Sequence, residues 1–204
     1  TKKGGAWMRA LTHAFLKEAT AWDLPVIGGD LSTAPHVVLT CTVMGLSRKA
    51  PVGRGGARGG DSIWVTGKLG GAGESGRHRL PCPRLAEGRR LLEKYTPHAM
   101  MDLSDGLLAD LPRILRASEV GATVHVESLP CHAKASRSSA VAEGEDYELL
   151  AVLSPLQARQ ASADALLQKV GWTKIGEIEK RKGLRWKHEG ASWKPQLQPW
   201  RHTW

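Results

Sequence analysis

Apolar positions along the chain recur with two different periods, which predict a mixture of helices and strands. Helical spacing places Trp7, Leu11 and Phe15 on one face of residues 7–21. The same spacing predicts helices over 84–94, from Met100 through Leu115, and over 155–170. Runs of β-branched and apolar residues predict strands at 25–27, 37–46, 62–66, 121–127, 148–153, 173–178 and 183–187. Helices and strands alternate but the late strands follow closely, so we predict an α+β fold with mixed sheets packed against helices.

A glycine- and arginine-rich stretch from Arg48 to Gly60 interrupts this pattern. Its composition is typical of a linker or a mobile loop. We therefore place a domain boundary there and expect one domain over residues 1–50 and another over 51–204.

Composition narrows the classes of protein. Hydrophobic residues make up 41% and charged residues 24% of the chain, which favours a folded core over disorder. No apolar run approaches the roughly 20 residues of a membrane helix, so no membrane partner is expected. Three cysteines without a CxxC pair argue against a disulfide framework or a zinc site and favour the reducing cytoplasm.

The net charge of +9 is unevenly distributed, because basic residues dominate 45–95 and 169–204 whereas acidic residues dominate 96–168. A basic surface suits a polyphosphate ligand or nucleic acid, and it can also be a solvated face. Nucleic acid is the less favoured partner, because its binders often interleave basic residues with exposed aromatic residues, whereas most of the eight tryptophans of this chain sit in apolar patterns.

Gly28-Gly29-Asp30 is the first motif that could carry chemistry. Glycines after a strand let the backbone approach a ligand closely, and Asp30 could hold Mg²⁺. A plain turn is the competing interpretation, and this motif alone favours the turn.

Asp102-Leu103-Ser104-Asp105-Gly106 is the second motif. Asp102 and Ser104 are N-cap residue types, and Asp105 would lie in the first turn of a helix. Two carboxylates and a hydroxyl beside free helix N–H groups could also hold Mg²⁺ and the phosphates that it bridges. The structural and the functional interpretation are evenly balanced.

Two further features stay open between a ligand role and a solvated loop. Gly144-Glu145-Asp146-Tyr147-Glu148 brings three acids together before an apolar strand. Arg54 lies on a glycine-rich segment that could fold over a polyphosphate, although no P-loop signature follows it.

Taken in order, these motifs resemble those of the thiamine-monophosphate kinase family. The matching segments are GGDLS at 28–32, RGGARGGD at 54–61, VTGKLG at 65–70, PCPR at 81–84, DLSDGL at 102–107, GEDYEL at 144–149 and WRH at 200–202. The GEDYEL segment is matched without change, and the resemblance runs from about residue 7 to the end.

The resemblance implies an aminoimidazole ribonucleotide synthetase-like fold. Its N-terminal α/β domain dimerises, its C-terminal domain is α+β, and ATP binds between the two. Residues 1–50 would be the C-terminal part of the first domain, and residues 51–204 would be the complete second domain. The family's upstream acidic motifs have no counterpart in this sequence, so we expect either a fragment or a degraded protein.

The resemblance also implies an activity, namely in-line transfer of the γ-phosphoryl group of ATP to thiamine phosphate with Mg²⁺. No residue is assigned as a general acid or base. The roles carried over by position are Gly29, Asp30, Arg54 and Ser104 for ATP, Asp30, Asp102 and Asp105 for Mg²⁺, and Glu145 and Trp200 for thiamine phosphate. Because the metal ligands are incomplete, we expect the chain by itself to have little or no activity. The alternatives are another substrate within the superfamily and a non-catalytic ATP-binding scaffold.

Overall fold

The computed structural model describes residues 4–198, which separate into a first unit ending at Leu46 and a second unit beginning at Ser47. Helix α1, Gly5–Ala21, occupies the first half of the first unit, as its helical spacing predicts. No helix among the described residues has the length and hydropathy needed to cross a membrane.

The strands predicted at 25–27 and 37–46 are wrong, because the described residues of these segments have no regular secondary structure. A strand requires a neighbour to complete its backbone hydrogen bonds. Within the part of the chain that the structure describes, 37–46 form no such ladder. The apolar side chains of Val38 and Met44 are therefore exposed, and Cys41 on the same segment is exposed as well.

The second unit is built on a mixed sheet of seven strands within the described residues. The strands are β1 (Ser62–Val65), β2 (Ala99–Leu103), β3 (Gly121–His125), β4 (Glu148–Leu153), β5 (Thr173–Glu179), β6 (Gly183–His188) and β7 (Ala191–Ser192). Their order across the sheet is β2-β4-β1-β5-β3-β6-β7. The pair β3 and β6 is parallel, whereas the other described pairs are antiparallel.

Helices cover both faces of this sheet. They are α2 (Ala72–Ser75), α3 (Leu85–Arg90, continued by a π-helical turn Leu91–Tyr95), α4 (Leu107–Ser118), α5 (Arg137–Ala142), α6 (Pro155–Ser162) and α7 (Ala165–Val170). Side chains alternate between the faces of β1, so Ile63 and Val65 join the core under α4 and α5. Trp64 points to the other face and stacks on Trp172 with ring centroids 5.3 Å apart.

Two of the predicted helices have different boundaries. The expectation of a helix opening at residues 100–106 is wrong, because Met100–Leu103 belong to β2 and pair with β4. Helix α4 begins at Leu107 after Gly106, so Asp105 precedes the helix instead of lying in its first turn. The predicted helix 155–170 is divided, because the carboxylate of Asp164 accepts hydrogen bonds from the Leu166 and Leu167 N–H groups and starts a second helix.

The glycine-rich segment 53–60 is attached to the second unit at several points, which does not fit the predicted mobile linker. The Gly53 carbonyl accepts a hydrogen bond from Met100 N–H, and Gly60 N–H donates to the Ile178 carbonyl. The N–H groups of Gly56 and Ala57 both donate to the Ser118 hydroxyl. These contacts fix residues 53–60 within the second unit.

Candidate functional site

The two acidic motifs of the second unit lie directly against each other. Glu145 N–H donates to the Ser104 carbonyl at 2.7 Å, and Tyr147 N–H donates to the Leu103 carbonyl at 2.8 Å. A Cβ at Gly144 would lie 2.5 Å from the Ser104 oxygen, so the backbones approach more closely than any other residue would allow. We call residues 102–106 the β2–α4 loop and residues 143–147 the acidic loop.

These loops border a cavity of about 650 Å³ within the second unit. The cavity is lined by Gly73, Glu74, Ser104, Asp105, Ala142, Glu143, Gly144, Glu145, Tyr147, Leu197 and Gln198. Four of these residues are acidic in a chain whose net charge is +9. The cavity therefore has a local excess of negative charge that the whole chain lacks.

Two of the four carboxylates have partners within the protein. The Glu143 carboxylate accepts a hydrogen bond from Gly71 N–H at 2.6 Å, and the Asp105 carboxylate is paired with the Arg113 guanidinium. The side chains of Glu74 and Glu145 have no hydrogen bond or ion pair among residues 4–198. These two side chains are available to a cationic or hydrogen-bonding ligand.

The backbone of the β2–α4 loop is hydrogen-bonded to the side chain of Asp110, which is fully buried. One oxygen of its carboxylate accepts hydrogen bonds from the Ser104 and Asp105 N–H groups, both at 3.0 Å. Its other oxygen is paired with Arg113. Burial raises the pKa of Asp110 above its ordinary value despite these favourable contacts. The N–H groups of Ser104 and Asp105 are thus already occupied, so they are not among the free N–H groups expected beside this motif.

Two acids of the GEDYEL segment are structural anchors in this arrangement. Both oxygens of Asp146 accept from Gly70 N–H, and Oδ1 is paired with Arg77 Nη2 at 2.7 Å. Burial raises the pKa of Asp146 to about 6. Glu148 is buried too and is bound by Arg84 and by the Thr66 hydroxyl. The acidic loop thus presents Glu145 to the cavity while its neighbours fasten it to segments 66–71 and 77–84.

The β2–α4 loop also supplies the oxygen atoms considered for Mg²⁺. Asp102 is exposed at the end of β2, and Asp105 lies at the cavity with no hydrogen bond to its Oδ1 among the described residues. No group of three His, Cys, Asp or Glu residues in the described part of the chain could hold a metal ion. Mg²⁺ is often bound by only one or two carboxylates together with substrate phosphates. The carboxylates of Asp102 and Asp105 fit this pattern of coordination.

The remaining predicted site residues lie elsewhere. Gly29 and Asp30 belong to the first unit, where both are exposed and the Asp30 carboxylate accepts a hydrogen bond from the Ser32 hydroxyl at 2.9 Å. Arg54 is exposed, and its carbonyl accepts from the Ser118 hydroxyl at the C-terminal end of α4. Since α4 is about 18 Å long, the Arg54 backbone and the β2–α4 loop lie at opposite ends of this helix. Trp200 falls outside the described residues.

Sequence reasoning missed several residues that build the site. Asp110 and Arg113 carry a usable signal, because a spacing of three on a helix brings an acid and a base together. Glu74 carries none, since it is a single acid in a short glycine-rich segment. Of the predicted site residues, the structure brings Ser104, Asp105 and Glu145 to one cavity. Glu74 also lines this cavity, and Asp110 and Arg113 support it through the β2–α4 loop.

Comparison with known proteins places these observations in a family context. Residues 58–189 match the family described as "AIR synthase related protein, C-terminal domain". The thiamine-monophosphate kinase of Rhodopirellula baltica is 35% identical over 195 residues, which cover 88% of this chain and 59% of that relative. The chain therefore spans about three-fifths of the length of this curated relative.

Solved structures give the same picture. The thiamine-monophosphate kinase of Stenotrophomonas maltophilia K279a has a TM-score of 0.59 at 30% identity, covering 69% of this chain and 54% of that one. A structure described as AaThiL complexed with AMPPCP and TMP has a TM-score of 0.60 at 28% identity, covering 74% of this chain and 54% of that one.

Proposed function

The chain belongs to the AIR synthase related protein family, and from this premise we propose that it is part of a thiamine-phosphate kinase. In this reaction the γ-phosphoryl group of ATP is transferred directly to thiamine phosphate, which yields thiamine diphosphate and ADP. The similarity to thiamine-monophosphate kinases supports the proposal, as does the neighbour complexed with AMPPCP and TMP.

The observation that carries the proposal is that the Glu74 and Glu145 carboxylates, at the cavity beside the β2–α4 loop, have no hydrogen bond or ion pair among residues 4–198. Thiamine phosphate combines a permanently cationic thiazolium ring with an anionic phosphate. Carboxylates at one end of the site would stabilise the thiazolium cation. The phosphate at the other end of the substrate would need positive charge near it. We propose that Glu145 contacts the cationic part of the substrate, with Trp200 as a further contact.

The β2–α4 loop is the proposed phosphate end of the site. Asp102 and Asp105 would be metal ligands together with Asp30, while Ser104 would contact the phosphates and Gly29 and Arg54 the nucleotide. When bound, Mg²⁺ would neutralise the triphosphate and the charge that develops during transfer. The protein's own contribution is to hold these groups in place, and the buried Asp110, Asp146 and Glu148 supply that rigidity.

Three finer statements belong to the same proposal. Residues 1–50 would be the end of an ATP-binding and dimerisation domain, with residues 51–204 as the C-terminal domain. The complete protein would be a homodimer, and it would act in the cytoplasm without nucleic acid or membrane partners.

The experiment is a binding and turnover assay with ATP, Mg²⁺ and thiamine phosphate. Calorimetry should detect thiamine phosphate binding, and Glu145→Gln should weaken it about tenfold because a charge contact is lost. Glu119→Gln is the matched control, since Glu119 is 81% exposed and does not line the cavity. Binding of neither ATP nor thiamine phosphate would refute the proposal.

One observation favours a second candidate, a nucleotide-binding scaffold without turnover. The described residues contain no group of three His, Cys, Asp or Glu residues that could hold a metal ion, and a scaffold that only binds nucleotide needs no metal for phosphoryl transfer. This candidate predicts that ATP binds but that no ADP forms when thiamine phosphate is added. Formation of thiamine diphosphate would eliminate it.

A further inference from the structure

Arg113 connects two carboxylates that have different tasks in the β2–α4 loop. Its Nη2 contacts Oδ2 of Asp105 and its Nη1 contacts Oδ1 of Asp110, each at 2.5 Å. Asp110 has no solvent exposure, whereas the Asp105 side chain is 25% exposed and lines the cavity. One guanidinium therefore joins a buried anchor to a cavity-lining carboxylate.

The geometry leaves one oxygen of Asp105 available. Arg113 engages Oδ2, and Oδ1 has no hydrogen bond within residues 4–198. At the same time Asp110 fixes the backbone of Ser104 and Asp105 through both N–H groups. The orientation of the carboxylate and the path of its backbone are thus both set from α4.

We propose that Arg113 and Asp110 are positioning residues, which hold Asp105 so that its second oxygen can bind a divalent cation accompanying a nucleotide. The inference rests on the proposed function for the identity of the ligand. The same arrangement offsets electrostatic repulsion within the β2–α4 loop and the start of α4. Without the Arg113 guanidinium, the carboxylates of Asp102, Asp105 and Asp110 would repel one another.

The first test needs no ligand. Amide hydrogen exchange of Ser104 and Asp105 should become about tenfold faster in Arg113→Gln, because the Asp110 carboxylate is no longer held in the orientation in which it accepts their hydrogen bonds. Arg116→Gln is the matched control, since Arg116 is an exposed arginine on the same helix with no ion pair among the described residues. Unchanged exchange in Arg113→Gln would overturn the proposal.

The second test titrates Mg²⁺ against the chain at a fixed ATP concentration by calorimetry. Arg113→Gln should weaken apparent Mg²⁺ affinity by about tenfold or more, as for other residues that orient a metal ligand. Arg113→Lys should restore part of this loss, because an ammonium group can pair with one carboxylate but lacks the fork that joins two. A general folding defect would lower the number of sites without changing their affinity.

A double-mutant comparison shows whether Arg113 acts through Asp105. In an Asp105→Asn background, Arg113→Gln should cause little further loss of Mg²⁺ affinity. Equal losses in both backgrounds, or wild-type affinity in Arg113→Gln, would overturn the proposal. If the unmodified chain binds no Mg²⁺ with ATP, the proposed function and the metal role fail together, while hydrogen exchange still decides whether α4 positions the loop.

Discussion

Arg84 and Glu148 form a two-point ion pair, with Nε to Oε2 at 2.7 Å and Nη2 to Oε1 at 2.6 Å. The Thr66 hydroxyl donates to the same carboxylate at 2.7 Å. Three segments that are distant in sequence, around residues 66, 84 and 148, therefore meet at one buried acid. This contact ties the acidic loop of the cavity to the centre of the sheet.

Removing one partner of this pair should destabilise the second unit. In Arg84→Gln, the Glu148 side chain, 7% exposed, would keep a buried charge without its main counter-ion. We expect a loss of about 3 kcal/mol in the free energy of unfolding, measured by urea denaturation. Arg89→Gln, at an exposed position of helix α3, which Arg84 immediately precedes, should change it by less than about 0.5 kcal/mol. Equal effects of the two substitutions would contradict this interpretation.

Asp146 should make stability depend on pH in an unusual direction. Burial raises its pKa from 3.8 to about 6 in the folded chain, so the folded state holds this proton more tightly than the unfolded state. Its contribution is fully favourable below about pH 4 and is lost as the pH rises through 6, a change of about 3 kcal/mol. Urea denaturation at a series of pH values measures it.

The matched variant for this prediction is Asp146→Asn, which cannot titrate. The difference in unfolding free energy between the wild type and Asp146→Asn should shift against the wild type between pH 4 and pH 7. Glu93→Gln, an exposed substitution, should leave the profile of the wild type unchanged. A constant difference across this range would show that burial of Asp146 does not govern the profile.

Gly106 should not tolerate a side chain. Its φ is +92°, and a Cβ there would lie 2.5 Å from the Glu143 carbonyl oxygen. Gly60 has a similar φ of +97° with open space around it, so Gly60→Ala carries the backbone strain without the clash. We expect Gly106→Ala to cost about 2 kcal/mol more than Gly60→Ala in thermal or urea unfolding. Equal losses of stability in the two variants would show that backbone strain, and not the clash with Glu143, accounts for the effect.

Tyr95 stabilises the start of α7 through a buried hydrogen bond. Its hydroxyl donates to Oδ2 of Asp164 at 2.6 Å, while the other oxygen of Asp164 caps the helix. Tyr95→Phe should lower the free energy of unfolding by about 2 kcal/mol, because a buried carboxylate loses a donor. Tyr147→Phe, whose hydroxyl has no partner among the described residues, should have a much smaller effect.

The sequence predicted the elements whose apolar period is unambiguous. Strand β4 has the predicted bounds, Glu148–Leu153, because a short β-branched and apolar run after a charged turn fits few alternatives. Residues 100–106 were misassigned because Met100, Met101 and Leu103 suit a helix as well as a strand. Pairing with β4, which decides the matter, is a long-range contact that local patterns do not contain.

The candidate site was only partly accessible to sequence reasoning. The motifs around Asp105 and Glu145 stand out by their acid content, yet their shared cavity depends on backbone hydrogen bonds between loops about forty residues apart. Asp146 and Glu148 look like ligand-binding acids in the sequence. Their burial beside Arg77 and Arg84 shows that they anchor the loop, a distinction that composition cannot make.

The position of β1 in the middle of the sheet has a consequence for biosynthesis. Its Ser62 lies opposite Leu153, 91 residues later in the chain, and its other neighbour, β5, follows later still. A nascent polypeptide therefore exposes the apolar β1 on the ribosome until almost the whole second unit has emerged. Such distant pairing slows folding and leaves the emerging strand open to capture by chaperones.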